Sequence, residues 1–185
     1  MTTFIRQRRG PFASLFVALT ILGVTILGMR WSSRALATSD GDPYAVPDAT
    51  DTNPDPDIFE TTITAEAHTV NIGNDVNANV LTFNGTIPGP TLRFHVGETV
   101  IVHFKNNIAH DTGIHWHGIE LTNESDGTPL TQNQVPPGGS YLYKFKVTRS
   151  GVYWYHPHHH SSTNQVFKGL YGMIVHWSEG GMYAP

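Results

Sequence analysis

The chain has 185 residues, 39% apolar and 14% charged, a globular composition that speaks against disorder throughout and against an all-membrane protein. Its formal charge of −4 hides an asymmetry: residues 1–37 carry five Arg and no acid, whereas 38–185 carry six Lys or Arg against fifteen Asp or Glu, a net −9. The acidic part has no basic cluster, which sets nucleic acid aside as a partner, and the absence of Cys excludes disulfides, thiolate zinc, iron–sulfur clusters, Cys nucleophiles and a blue-copper site.

In chain order, Arg6, Arg8 and Arg9 precede an uncharged apolar stretch from Phe12 to Met29, and Ala35-Leu36-Ala37 follows as a small-X-small site. This is the pattern of a signal peptide over 1–37, cleaved after Ala37, and it predicts export to the periplasm or the extracellular space. The competing reading is an uncleaved anchor through residues 12–29, flanked by Arg30 and Arg34. Arg8-Arg9 also invites a twin-arginine route, which suits export with a cofactor already inserted. Residues 38–57 hold six Asp, four Pro and no basic residue, so a solvated, disordered linker is expected there.

From Ile58 to the end at Pro185 one domain is expected. Short β-branched and aromatic runs predict strands over 58–66, 80–83, 91–95, 99–106, 114–119, 141–147, 152–156 and 172–177. Turn signals at Asn84-Gly85, Pro88-Gly89-Pro90, Val96-Gly97, Pro136-Pro137-Gly138-Gly139 and Ser150-Gly151 separate them. Many short strands with such turns predict an all-β antiparallel sandwich or barrel. A short helix is expected only at 161–168.

The chain holds eleven His, and two His-X-His pairs carry the chemistry. In a strand, residues i and i+2 project from one face about 7 Å apart, so His115 and His117 can bind one metal or two adjacent ones. His156 and His158 end a second strand, and Pro157 between them, unable to donate a ladder hydrogen bond, marks a strand end or edge. Two such pairs, each beside aromatic residues and Gly, point to metal binding, with copper or zinc as the metals that imidazole suits. His159 and His160 are expected to be neighbours of the site or solvated, not ligands. His68, His95, His103, His110 and His176 carry no motif and are expected to be ordinary structural or surface residues.

Five motifs in order then carry a resemblance. They are Phe83-Asn84-Gly85-Thr86-Ile87-Pro88-Gly89-Pro90-Thr91, Gly97-Glu98-Thr99-Val100, His115-Trp116-His117-Gly118, Asp126-Gly127, and Trp154-Tyr155-His156-Pro157-His158 running on through Gly169-Leu170-Tyr171-Gly172. Together they resemble the N-terminal cupredoxin (plastocyanin-like) domain of a multicopper oxidase, the family of laccases and bacterial copper oxidases. The resemblance implies a cupredoxin-type Greek-key β-sandwich over 58–185 and copper as cofactor. It further implies that His115 ligates the type 2 copper, and that His117, His156 and His158 ligate the type 3 pair of a trinuclear cluster that reduces dioxygen to water. By the same resemblance Asp126 is a catalytic acid delivering protons to reduced oxygen, a task a carboxylate suits; as a bare dipeptide, Asp126-Gly127 is also an ordinary turn.

The chain departs from the family pattern in lacking Cys, and therefore the type 1 copper, and in lacking two of the four cluster pairs. Three hypotheses follow. The first is that this chain contributes half the copper ligands of an oxidase. A second chain or a missing C-terminal cupredoxin domain then supplies the rest, and dioxygen and a small reducing substrate such as a phenol or metal ion are consumed. The second is a stand-alone exported copper-binding protein for storage or delivery. The third is a cupin-like metal enzyme using His115, His117 and Glu120 with a later His. An apolar flank around the His pairs would favour the first.

Overall fold

A computed structural model describes residues 45–71, 73–159 and 162–178. The signal sequence or anchor expected over 1–37 lies outside the described residues. The described part is one β-sandwich of eight strands with two short helices: β1 Ile58–Asn71, β2 Asn77–Phe83, β3 Gly89–His95, β4 Thr99–Asn106, β5 His115–His117, α1 Asn123–Asp126, β6 Ser140–Lys146, β7 Gly151–His156, α2 Ser162–Phe167 and β8 Gly172–Trp177. One sheet has the order β2-β1-β4-β6 and the other β3-β8-β7-β5.

Alternation builds both sheets. In β4, Val100, Val102 and Phe104 point inward and are fully buried, while Ile101 and His103 face out; the pattern agrees with the period of two expected from sequence. The largest buried side chains are Trp116, Tyr143, Tyr155, Phe59, Phe83, Phe94 and Phe104, so aromatic rings fill much of the space between the sheets. Asn84 and Gly85 both sit at positive φ, 53° and 81°, the requirement of a I′ hairpin turn.

Four features differ from the sequence expectation. The sandwich is mixed, because β1 pairs with β4 and β3 with β8 in parallel, each pair joined across intervening strands. Strand β1 continues to Asn71 and β2 begins at Asn77, in register from Ala65↔Phe83 to Asn71↔Asn77. This hairpin arm is polar, held by ladder bonds and by Thr69 Oγ1 donating to Asn79 Oδ1 at 2.9 Å, so no hydrophobic pattern announces it. A single helical turn, α1, stands where none was predicted.

The fourth difference concerns the linker. The part of it described, 45–57, follows the sandwich instead of standing free as a solvated spacer. Thr91 N–H donates to the Pro47 carbonyl and Ala49 N–H to the Thr91 carbonyl, both at 2.8 Å. Asp48 binds Arg93 at 2.7 Å, and the Asp51 carboxylate accepts from Glu60 N–H at 2.9 Å. Here Asp acts as a local acceptor for main-chain N–H groups and as an ion-pair partner, roles that composition alone does not reveal.

His176, on β8, is fully buried. Its ring is stacked between Phe94 and Tyr153, at centroid distances of 5.5 and 4.6 Å. Burial pushes its pKa down from 6.5 to about 4, against a small opposing effect of the Arg149 main chain. Between those two values the unfolded state binds the proton and the folded state does not, so stability falls as the pH drops through that window and levels off below it. His176→Phe, which keeps an aromatic ring in the stack, is expected to remove about 3 kcal/mol of that acid sensitivity, read as the difference in urea midpoint against pH between the two proteins.

Candidate metal centre

Strand register brings the two His-X-His pairs together. In β5 Trp116 points into the core, so His115 and His117 project from the outer face of the sheet. In β7 Tyr155 points inward, so Trp154 and His156 project outward. Antiparallel pairing sets His115 opposite His156, Trp116 opposite Tyr155 and His117 opposite Trp154, and residues directly opposite share a face. His158 follows the strand end and turns its ring toward the same place.

The four imidazoles converge. The His115 ring centroid lies 5.7 Å from that of His117, 5.6 Å from His156 and 5.0 Å from His158. His117 Nδ1 is 3.1 Å from His156 Nε2. That separation is close to the roughly 3.3 Å expected between two imidazole nitrogens about 2.0 Å from one tetrahedral ion, so this pair fits a shared metal. All donors are imidazole nitrogens, a set suited to copper.

Hydrogen bonds orient the rings. His115 Nδ1 donates to the Asp126 main-chain carbonyl at 2.7 Å, which leaves Nε2 with its lone pair. His156 Nδ1 donates to the Pro157 carbonyl at 2.8 Å, so its Nε2 accepts the proton of His117 Nδ1. Such outer partners fix the tautomer of a ligating histidine. Burial lowers the pKa of His115, opposed by the Asp126 carbonyl and carboxylate, and lowers that of His156 to about 4 with the neighbouring imidazoles adding to the effect. Both rings are therefore neutral at pH 7, the form that coordinates a metal.

The Asp126 carboxylate stands 3.5 Å from His115 Nδ1 and is partly exposed. Thus Asp126 meets the site twice, through its carbonyl as well as its side chain. Beside the imidazoles the outer face carries exposed apolar side chains. Trp154 stacks on His156 with ring centroids 3.8 Å apart, and its ladder partner on β8 is Met173; both are 39% exposed, and Val152 is 54% exposed.

Among the described residues, no three His, Asp or Glu side chains form a cage for a single ion. Glu120, the third ligand of the cupin-like hypothesis, is instead paired with Arg149 at 3.0 Å, and that hypothesis has no support. His159 is buried and packs against Gly113, so it is not solvated; His160 lies outside the described residues. His68, His95 and His103 pair with Glu66, Glu98 and Glu60, and His176 is the stacked core residue described above. The sequence marked Trp154 as part of a motif but not as a residue of the rim, and it marked neither Met173 nor Ser125 beside Asp126; strand alternation places Trp154 on the face of His156, whereas Ser125, in a helical turn, has no such signal.

An eight-stranded sandwich with imidazoles clustered on one outer face defines a cupredoxin-like metal-binding domain. The chain belongs to the multicopper oxidase family, whose sequence pattern matches residues 64–179. It is 47% identical over 96 residues to a Copper resistance protein A homolog of Pseudomonas syringae pv. tomato, covering 51% of this chain and 16% of that protein. It is 39% identical over 97 residues to the Multicopper oxidase MmcO of Mycobacterium tuberculosis, covering 52% and 19%. Among solved structures, the multicopper oxidase of Campylobacter jejuni, a metallo-oxidase, superposes with a TM-score of 0.68 at 29% identity, over 73% of this chain and 29% of that one. The chain therefore spans less than a fifth of the length of these curated relatives. Copper is the metal this family implies. Among the described residues no helix is long and apolar enough to cross a membrane.

Proposed function

We propose that this chain supplies half of the imidazole ligands of a trinuclear copper centre, His115 at the type 2 position and His117, His156 and His158 at the type 3 pair. The parent reaction is the oxidation of phenols, metal ions or similar reductants by dioxygen. Copper held there would relay to dioxygen the electrons taken from the reductant, four for each dioxygen reduced to two waters. A second cupredoxin domain or chain, bearing His-X-X-His-X-His and His-Cys-His segments, provides the remaining ligands, and the assembly is exported.

The observation that carries this reading is four converging imidazoles that, among the described residues, belong to no three-ligand cage. Four ligands shared among three ions, each taking at least one, give no ion more than two. The exposed apolar side chains of Trp154, Met173 and Val152 support a partner domain as well, since Trp154 lies against His117 and His156.

The chain's own residues have defined tasks. His115 presents Nε2 and His156 presents Nε2, while His117, whose Nδ1 faces His156, would present Nδ1 with its ring proton carried on Nε2 instead. Asp126 holds a carboxylate at the edge of the site, where it can pass on the two protons that each oxygen atom needs to become water. Trp116, fully buried between the two ligands of β5, keeps their strand fixed against the core.

The test is co-expression with a cupredoxin domain that carries the missing segments, followed by measurement of bound copper and dioxygen uptake. Copper-dependent uptake by the pair and by neither part alone is expected; full uptake by this chain alone, or none by the pair with copper bound, overturns the proposal. Trp154→Ala is expected to weaken that docking about tenfold or more by calorimetry while costing this chain under about 1 kcal/mol of stability.

A further inference from the structure

The carbonyl of Asp126 determines which nitrogen of His115 is free, because a carbonyl only accepts and Nδ1, 2.7 Å away, must carry the proton. What holds that carbonyl in place is a question of local structure. Helix α1 is a single turn of four residues, too short to be stable by itself, since helix nucleation is unfavourable. Its position must come from its contacts.

Two contacts flank Asp126. On one side Ser125, buried at 3% exposure, donates its hydroxyl to the Lys144 carbonyl at 2.9 Å and accepts from Lys144 N–H at 3.1 Å. Strand β6 is the edge of its sheet, so one hydroxyl takes the place of a missing strand and ties α1 to the sandwich. On the other side Gly127 adopts φ +73°, and a Cβ there would lie 1.7 Å from the Ile114 carbonyl oxygen, 2.5 Å from its carbon and 3.0 Å from His115 N. The chain after Asp126 is thus laid directly on the main chain that carries His115, an approach only glycine permits.

We propose that Ser125 and Gly127 are positioning residues that clamp the Asp126 main chain, so that its carbonyl locks His115 in the Nδ1–H tautomer with Nε2 free to ligate. The consequence for copper rests on the reading of His115 as a ligand; the tautomer lock itself does not.

The experiment is 15N NMR of the metal-free full chain with labelled histidine, which reports the tautomer of each ring from its nitrogen shifts. In the wild type His115 is expected as the Nδ1–H form. Ser125→Ala and Gly127→Ala are expected to give a tautomer mixture at His115 while the His156 signals stay in place, a pattern that general unfolding would not produce. Asp126→Ala keeps the main-chain carbonyl and is expected to retain the lock. Titration with copper(II) chloride should then show affinity reduced 10- to 100-fold in Ser125→Ala, the range found for partners of ligating histidines.

An unchanged His115 tautomer in Ser125→Ala overturns the proposal, as does its loss in Asp126→Ala alone. Should Gly127→Ala fail to fold, Ser125→Ala decides. If His115→Ala leaves copper affinity unaltered, the ligand assignment fails while the lock, judged by the nitrogen shifts, stands separately.

Discussion

His156→Ala is expected to reduce dioxygen uptake by more than about 100-fold in an oxidase reassembled from this chain and a partner domain, beyond the 10- to 100-fold typical of residues that only support a ligand. The ring is buried, stacks on Trp154 and accepts the proton of His117, so its removal takes one proposed ligand and frees a second. His117→Ala is expected to act alike. His68→Ala is the control: that ring is 42% exposed and paired with Glu66 at 3.3 Å, and its loss should leave uptake within about twofold, as surface substitutions do. An oxygen electrode and a copper assay on the same samples separate loss of metal from loss of turnover. Equal losses from all three substitutions would mean that the effect lies in the fold and not in the site.

Trp116→Ala is expected to destabilise the chain by about 3–5 kcal/mol, the range for removing a buried Trp. Its indole packs against Tyr143, Phe145 and Tyr155, with centroids 5.3, 4.9 and 6.1 Å away, and no outward residue can refill that space. The urea midpoint measures the loss. Trp154→Ala, on the half-exposed outer face, is expected to cost under about 1 kcal/mol. The contrast follows from alternation: neighbouring strands β5 and β7 each carry a Trp near the ligands, one facing the core and one facing out.

Much of the domain was legible because a β-strand has a period of two. The strand at 99–106 has the bounds its alternation predicts and that at 172–177 the bounds of its β-branched and aromatic run, and the Asn-Gly turn at 84–85 has the positive φ its chemistry demands. The polar arm of the β1–β2 hairpin escaped notice, since its stability comes from the ladder and not from burial. Helix α1 escaped for a related reason. Four residues cannot show a helical period, and it exists by virtue of Ser125 and Gly127 meeting other strands.

By itself the sequence determined the chemical class of the site: no Cys, two His-X-His pairs, and aromatic and glycine motifs in the family's order. Side-chain type and spacing along one strand are local properties, and local properties can be read from the chain. The convergence was decided by tertiary structure alone. Register between β5 and β7 set His115 against His156 across about 40 residues of sequence, and a main-chain carbonyl from α1 selected the nitrogen that His115 presents. A carbonyl belongs to every residue, so nothing in the identity of Asp126 marks it as the acceptor; only the packing of α1 between β6 and β5 does.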